Sequence, residues 1–396
     1  MPSLRLSRFG EPETLRSIEP ALLVAFLAPH EGYLVQNGVD LQGGNLDYER
    51  LVALLMSPRA DAPAALVDAL YLVHECTSDD DADALLEAAS KAGKTLSQGG
   101  RLTAADTAIR AWLLDPDLLR DRHAKAAALR QRHFIYFGGS LGHRDGVPTV
   151  TAEQRRSLEE VLDEWFDTHH RGRGCRVLSD TVGNKLHLIV RHGQRMVREA
   201  SQDDEGAPAA AFYRPQKHDL LAYDPNEDVI AIHAGTKGEI GAFLESVGLV
   251  LFGDRNYFPH DSRFTLSPLV DHGPKSLACE DIDGLEQIRL VEVRRYWGGP
   301  HKELEIRKAQ DIFAALKDRG ATLEKGKLEA AVFKVKFSDS SKERSVAIRV
   351  ASSAKYDRDA DSELIEEWLR KRGFVIRSNL KADRVEAPAA AMALAG

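Results

Sequence analysis

Three cysteines in 396 residues, Cys76, Cys175 and Cys279, are too few and too scattered for a disulfide framework. None falls in the paired spacing of a cysteine-rich zinc site. This usage fits a reducing compartment. Long apolar runs are equally scarce. The best of them, ALLVAFLA at 21–28, falls far short of the about 20 residues that a bilayer-spanning helix needs. Residues 1–20 have no continuous apolar stretch and no small-residue cleavage site, so no secretory leader is expected. The expected location is the cytoplasm, with no membrane partner. No Gly-x-x-x-x-Gly-Lys-Ser/Thr loop occurs, and no Gly-x-Gly-x-x-Gly opens a helix, which argues against nucleoside-triphosphate hydrolysis and dinucleotide chemistry. The 14 histidines show no His-x-x-x-His spacing, so neither a metal nor a cofactor is expected. An overall basic excess is missing too. Lys+Arg number 53 against 61 Asp+Glu, a net charge of -8, which excludes a wholly basic nucleic-acid binder. From residue 271 onward the balance turns slightly basic, 24 against 22, so a polyanion would be met there by a local patch.

What the chain does have is material for a core: 43% hydrophobic and 29% charged residues, enough for two or three domains of about 100–200 residues each. Residues 1–132 read as a helical domain. Apolar residues recur at helical spacing in 48–56 and 64–76; Thr77-Ser78 offers caps for a helix over 79–91 that ends at Gly93, Thr103 caps one through 114 that Pro116 stops, and 117–132 is a further, heavily charged helix. Short helices with short connections indicate a small bundle. Residues 133–170 connect, as a strand (HFIYF), a glycine-rich loop and an amphipathic helix over 151–168. Residues 171–386 read as an α+β domain with strands at 175–179, 185–192, 195–200, 218–224, 228–234, 285–296, 330–338 and 344–352. Gly183-Asn184 and Gly193-Gln194 give hairpin signals. Helices are expected over 239–247, 307–319 and 362–372. Residues 387–396, APAAAMALAG, read as a disordered tail. The fold class expected is therefore α+β, an N-terminal helical bundle followed by a mainly antiparallel, hairpin-rich region.

Several motifs point to chemistry. LHLIVRHGQ (186–194) resembles the Arg-His-Gly signature of histidine phosphatases and phosphoglycerate mutases over about ten residues. The resemblance implies a parallel α/β sheet, His192 as phosphoryl acceptor, Arg191 as a phosphate clamp and His233 as the second histidine. Gly138-Gly139-Ser140-Leu141-Gly142 fits the Gly-x-Ser-x-Gly elbow of hydrolases, although no helix can start right after the serine. Asp281 and Glu292 stand as an acid before a strand and an acid on it, a pattern used to hold Mg²⁺ in nucleases, but Arg294 occupies the position where a lysine would activate water.

Basic stretches point elsewhere. HHRGRGCR (169–176) sets Arg171, Arg173 and Arg176 among glycines, as suits phosphate oxygens. VRRYWGGPHK (293–302) sets Arg294, Arg295 and Lys302 beside Trp297, the combination that stacks bases while holding a backbone. FKVKF (333–337) gives Lys334 and Lys336 one face of a hairpin. The sequence therefore favours a non-catalytic protein that binds nucleic acid, a protein partner, or both, the helical N-terminal domain docking the partner. The Ala/Arg/Asp-rich composition has a bacterial look. By architectural analogy such chains serve as accessory subunits of multi-protein bacterial systems, defence against mobile DNA included. A phosphoryl-transfer or phosphodiester hydrolase using Arg191/His192 or the Asp281/Glu292 region is the alternative.

Overall fold

The computed structural model describes residues 6, 9–42, 46–56, 61–96, 102–202, 205–324, 326–350, 352–356 and 362–376; the tail expected at 387–396 lies outside them. In chain order the helices and strands are α1 (Pro12–Arg16), α2 (Pro20–Leu27), α3 (Glu31–Gln36), α4 (Tyr48–Met56), α5 (Ala64–Glu75), α6 (Asp79–Lys91), α7 (Ala104–Leu114), α8 (Pro116–Leu129), β1 (His133–Gly138), α9 (Ala152–Thr168), β2 (Arg176–Val182), β3 (Lys185–Gly193), β4 (Val197–Gln202), β5 (Pro208–Tyr213), β6 (Gln216–Asp224), β7 (Val229–His233), α10 (Lys237–Phe252), α11 (Ser267–Asp271), β8 (Leu285–Gly298), β9 (Glu303–Lys308), α12 (Ile312–Asp318), β10 (Lys327–Phe337), β11 (Arg344–Arg349), β12 (Ser353–Lys355) and α13 (Ser362–Lys371). This is an α+β chain, helical first and antiparallel afterwards. It divides into two units. One holds residues 1–128, 169–172 and 191–218; the other holds 129–168, 173–190 and 219–396.

In the first unit the helices close over one apolar core that includes Leu15, Leu27, Leu51, Leu70, Leu85 and Ile109. Local chemistry sets their ends. Ser78 accepts from the Asp81 amide while the Asp81 carboxylate accepts from the Ser78 amide, and Thr103 and Asp106 do the same at the start of α7. Each such box satisfies two backbone donors that a helix start otherwise leaves unpaired. Asp106 also accepts from the Glu19 amide at 2.9 Å and so ties the start of α2 to α7.

The second unit is built on a ten-stranded sheet in the order β2-β3-β6-β7-β1-β12-β11-β10-β8-β9. Strand β1 pairs antiparallel with β7 on one side and β12 on the other, and so joins the two halves of the sheet. On the β2–β1 half, α9 and α10 bring Leu158, Leu162, Phe166, Phe243 and Val247 onto sheet residues such as Leu188, Ile230 and Ile232. Helix α10 opens with a Thr236/Glu239 box and ends at Gly253, whose φ of 76° is a conformation that glycine adopts without strain. On the other half, β10 alternates buried Phe333, Val335 and Phe337 with half-buried neighbours, and α13 lays Trp368 against Phe333 with ring centres 5.1 Å apart.

Two local expectations differ from the structure. Residues 307–319 are not one helix: Arg307 and Lys308 end β9, and the helix starts at Ile312 because Asp311 caps it, its carboxylate accepting from the Ala314 amide at 3.0 Å. Gly193-Gln194 is not a hairpin turn either. The chain runs on from β3 into β4, which pairs with β5 rather than turning back, and β6 returns beside β3.

Candidate functional site

Strands β4 and β5 form a two-stranded ribbon of their own, with Arg198 opposite Phe212 and Val197 opposite Tyr213. No ribbon side chain is buried. An isolated two-stranded ribbon is marginal in water, because it has no core of its own. This one nevertheless exposes Phe212 by 67%, and Met196 just before β4 is exposed by 56%. The Arg198 guanidinium lies 5.9 Å from the centre of the Phe212 ring, within cation–π range.

The ribbon's base is cationic. Arg195 and Arg214 are exposed, Arg191 and Lys217 half-buried. The Gln194 amide donates to the Pro215 carbonyl at 2.8 Å, which closes the base beneath the ribbon. The loop at 169–172 belongs to the same unit. Arg214 donates to the His170 carbonyl at 2.6 Å. A Cβ on Gly193 would lie 2.6 Å from the Arg171 carbonyl oxygen, so glycine is what lets the loop press on the strand. His170 and Gly172 take positive φ, which folds the loop tightly and sets Arg171 at this base. Acidic residues follow: Glu199 bonds the Tyr213 hydroxyl and pushes its pKa up, and Asp203, Asp204 and Glu205 come next in the sequence.

The other sequence-derived cations are largely engaged. Arg173 pairs with Asp167 at 3.0 Å, and the Gly174 and Cys175 amides donate to Asp163. Arg176 donates to its neighbouring Cys175 carbonyl. Arg294 pairs with Glu292 at 2.8 Å, and Lys308 reaches the same carboxylate at 3.0 Å. The hydrogen bond from Arg294, with that from Lys308, holds Glu292 below the usual carboxylate range. Arg295, expected at the surface, is 2% exposed. It points into the protein, where Glu305, Glu324 and the Glu324 carbonyl accept from it. Trp297 is 45% exposed, but its indole N–H donates to Glu305 and Arg295 covers one face at 4.9 Å. Lys302 is exposed in the turn before β9. Lys334 stands between Arg289 and Ser345, and Lys336 donates to the Ser340 carbonyl.

The catalytic candidates lie on separate elements. The strands carrying Arg191/His192 and His233 lie in an antiparallel sheet, unlike the parallel one the phosphatase resemblance implies. His192 is buried. His233 bonds the His133 carbonyl at 2.9 Å. Asp281 is held by Arg372 and Lys371 while Glu292 is held by Arg294 and Lys308, so separate cations answer the two carboxylates.

The Gly-Gly-Ser-Leu-Gly loop has a structural occupant that the sequence did not disclose, Asp228. This fully buried carboxylate accepts from the Leu141 and Gly142 amides at 2.8 and 2.9 Å and from the Tyr223 and Tyr257 hydroxyls at 2.8 and 3.0 Å. Ser140 donates to the Tyr257 carbonyl at 2.9 Å.

A cavity of about 420 Å³ under α13 gathers further charge. Lys185 pairs with Glu366 at 2.7 Å, Tyr356 donates to the same carboxylate at 2.9 Å, and the Tyr136 and Tyr356 hydroxyls lie 3.0 Å apart. Glu227 takes Arg263 and, at 3.8 Å, Arg370. Burial pulls the pKa of Arg263 down. Cation and carboxylate answer one another throughout, so this network ties α13 to the sheet. No known family model matches the chain, and no curated protein matches it.

Proposed function

We propose that the protein is a non-catalytic binder of nucleic acid that grips a single strand on the β4–β5 ribbon. Phosphates would lie against Arg195, Arg198 and Arg214, with Arg171 at the base, while a base stacks on Phe212. The observation that carries this reading is the exposed Phe212 ring under the Arg198 guanidinium, on a ribbon with no fully buried side chain. Stacking needs an exposed π-face, and phosphate binding needs cations beside it; here both occur on a few facing residues. The net charge of -8 keeps the contact local and hence dependent on salt.

We place the protein in the bacterial cytoplasm as an accessory subunit, its helical unit docking a protein partner, in a system of the kind that acts on mobile DNA. Composition and architecture support that placement by analogy. Among the described residues no helix is long and apolar enough to cross a membrane. Anisotropy titration of the full chain with single-stranded DNA and RNA tests the binding. Phe212→Ala is expected to cost about 1–3 kcal/mol, roughly 5- to 150-fold in affinity. Wild-type protein that binds neither strand at low salt would end the reading.

A further inference from the structure

Strand β9 closes one end of the ten-stranded sheet, and among the described residues no strand lies beyond it. Its inner side pairs with β8, Leu304 opposite Tyr296 and Ile306 opposite Arg294. Its outer side offers a row of backbone donors and acceptors to whatever approaches, the feature that proteins with exposed edges normally blunt with proline, bulges or charge. This edge carries no proline. Instead it alternates: Leu304 is 48% exposed and Ile306 47%, on one face, while Glu305 and Arg307 share the other. Glu305 and Arg307 already pair with each other at 3.2 Å.

The order Glu-Leu-Glu-Ile-Arg-Lys is self-complementary. When two copies of an antiparallel strand are related by a two-fold axis through the sheet, directly opposite residues share a face. With the axis at Ile306, each Ile306 meets the other, each Glu305 meets Arg307 of the second copy, and each Leu304 meets the aliphatic stem of Lys308. Opposite charges face each other and apolar groups face apolar groups, as cross-strand pairs require. An axis one residue earlier would set the two Glu305 carboxylates against each other.

We infer that β9 is a dimerisation edge: a second copy of this chain adds its own β9, antiparallel and centred on Ile306, to continue the sheet. The inference is independent of the nucleic-acid reading, since it uses none of the ribbon's residues.

Sedimentation of the full chain over a wide concentration range, followed by site-directed cross-linking, tests it. The wild type should move from monomer to dimer as concentration rises. Ile306→Lys, an exposed position whose change leaves the core alone, should hold the protein monomeric throughout. Directly opposite residues lie about 4.5–5.5 Å apart, so Ile306→Cys should cross-link to its counterpart through a short bis-maleimide. Leu304→Cys should not, because the two copies of position 304 would stand roughly 13 Å apart along the strands. The three native cysteines are buried and give little background. A wild type that stays monomeric, a dimer that survives Ile306→Lys, or equal cross-linking from the two cysteine variants would each overturn the assignment.

Discussion

Gly139 and Asp228 are fitted to each other: a Cβ at position 139 would fall 2.3 Å from the Asp228 carboxylate. The missing side chain is what lets the glycine-rich loop wrap a buried anion and present the Leu141 and Gly142 amides to it. Gly139→Ala should therefore destabilise the protein by about 2 kcal/mol or more, through forced movement of loop or carboxylate. Asp228→Ala should cost more, about 3–5 kcal/mol, because it strips an acceptor from four donors at once. Asn at 228 tolerates the positive φ of 48° and keeps one acceptor, so Asp228→Asn should fall between. Denaturant midpoints for the three variants check the order.

Alkaline pH should weaken the same cluster. Burial, reinforced by the Asp228 carboxylate, raises the pKa values of Tyr223 and Tyr257. A group whose folded pKa lies above its unfolded value contributes stability that is intact below the unfolded pKa, near 10 for tyrosine, and is lost as pH rises beyond it. The urea midpoint should thus start to fall as pH passes about 10. Asp228→Asn should make the fall shallower, since it removes the charge that helps keep both hydroxyls protonated.

Neighbouring arginines on β8 should behave unalike. Arg295 is buried against Glu305 and Glu324, so Arg295→Ala should cost about 2–4 kcal/mol. Arg294 is 38% exposed and pairs with Glu292 at the surface, so Arg294→Ala should cost under about 1 kcal/mol. Thermal melts of the pair check this, and equal losses would contradict the burial difference.

Much of this fold could be read in the sequence. The caps at Ser78 and Thr103 and the alternation in 330–338 announce their elements through local chemistry. What stayed hidden depends on partners far along the chain. Asp228 looks like any turn aspartate until Leu141, 87 residues earlier, donates to it. Lys185 meets Glu366 across 181 residues, so no window around either residue shows the cavity. Gly193 misled because its glycine serves a close approach to Arg171 rather than a turn. Arg295 and Arg294 looked equivalent in sequence, and only the pleat of β8, bulged against β10, sends one inward. The ribbon did leave a trace: Phe212 and Tyr213 end an otherwise alanine-rich strand that has no alternating apolar partners, which marks them as outward-facing.

Whether the ribbon holds single-stranded nucleic acid is tested most directly by the salt dependence of affinity for wild type, Arg195→Ala/Arg198→Ala/Arg214→Ala and Arg294→Ala. Three phosphate contacts on a single strand should cost the wild type about 20-fold in affinity between about 50 and 200 mM salt. The triple variant should bind weakly with a nearly flat salt response, while Arg294→Ala should track the wild type. A triple variant that keeps both the affinity and the slope would show that the ribbon is not the binding surface.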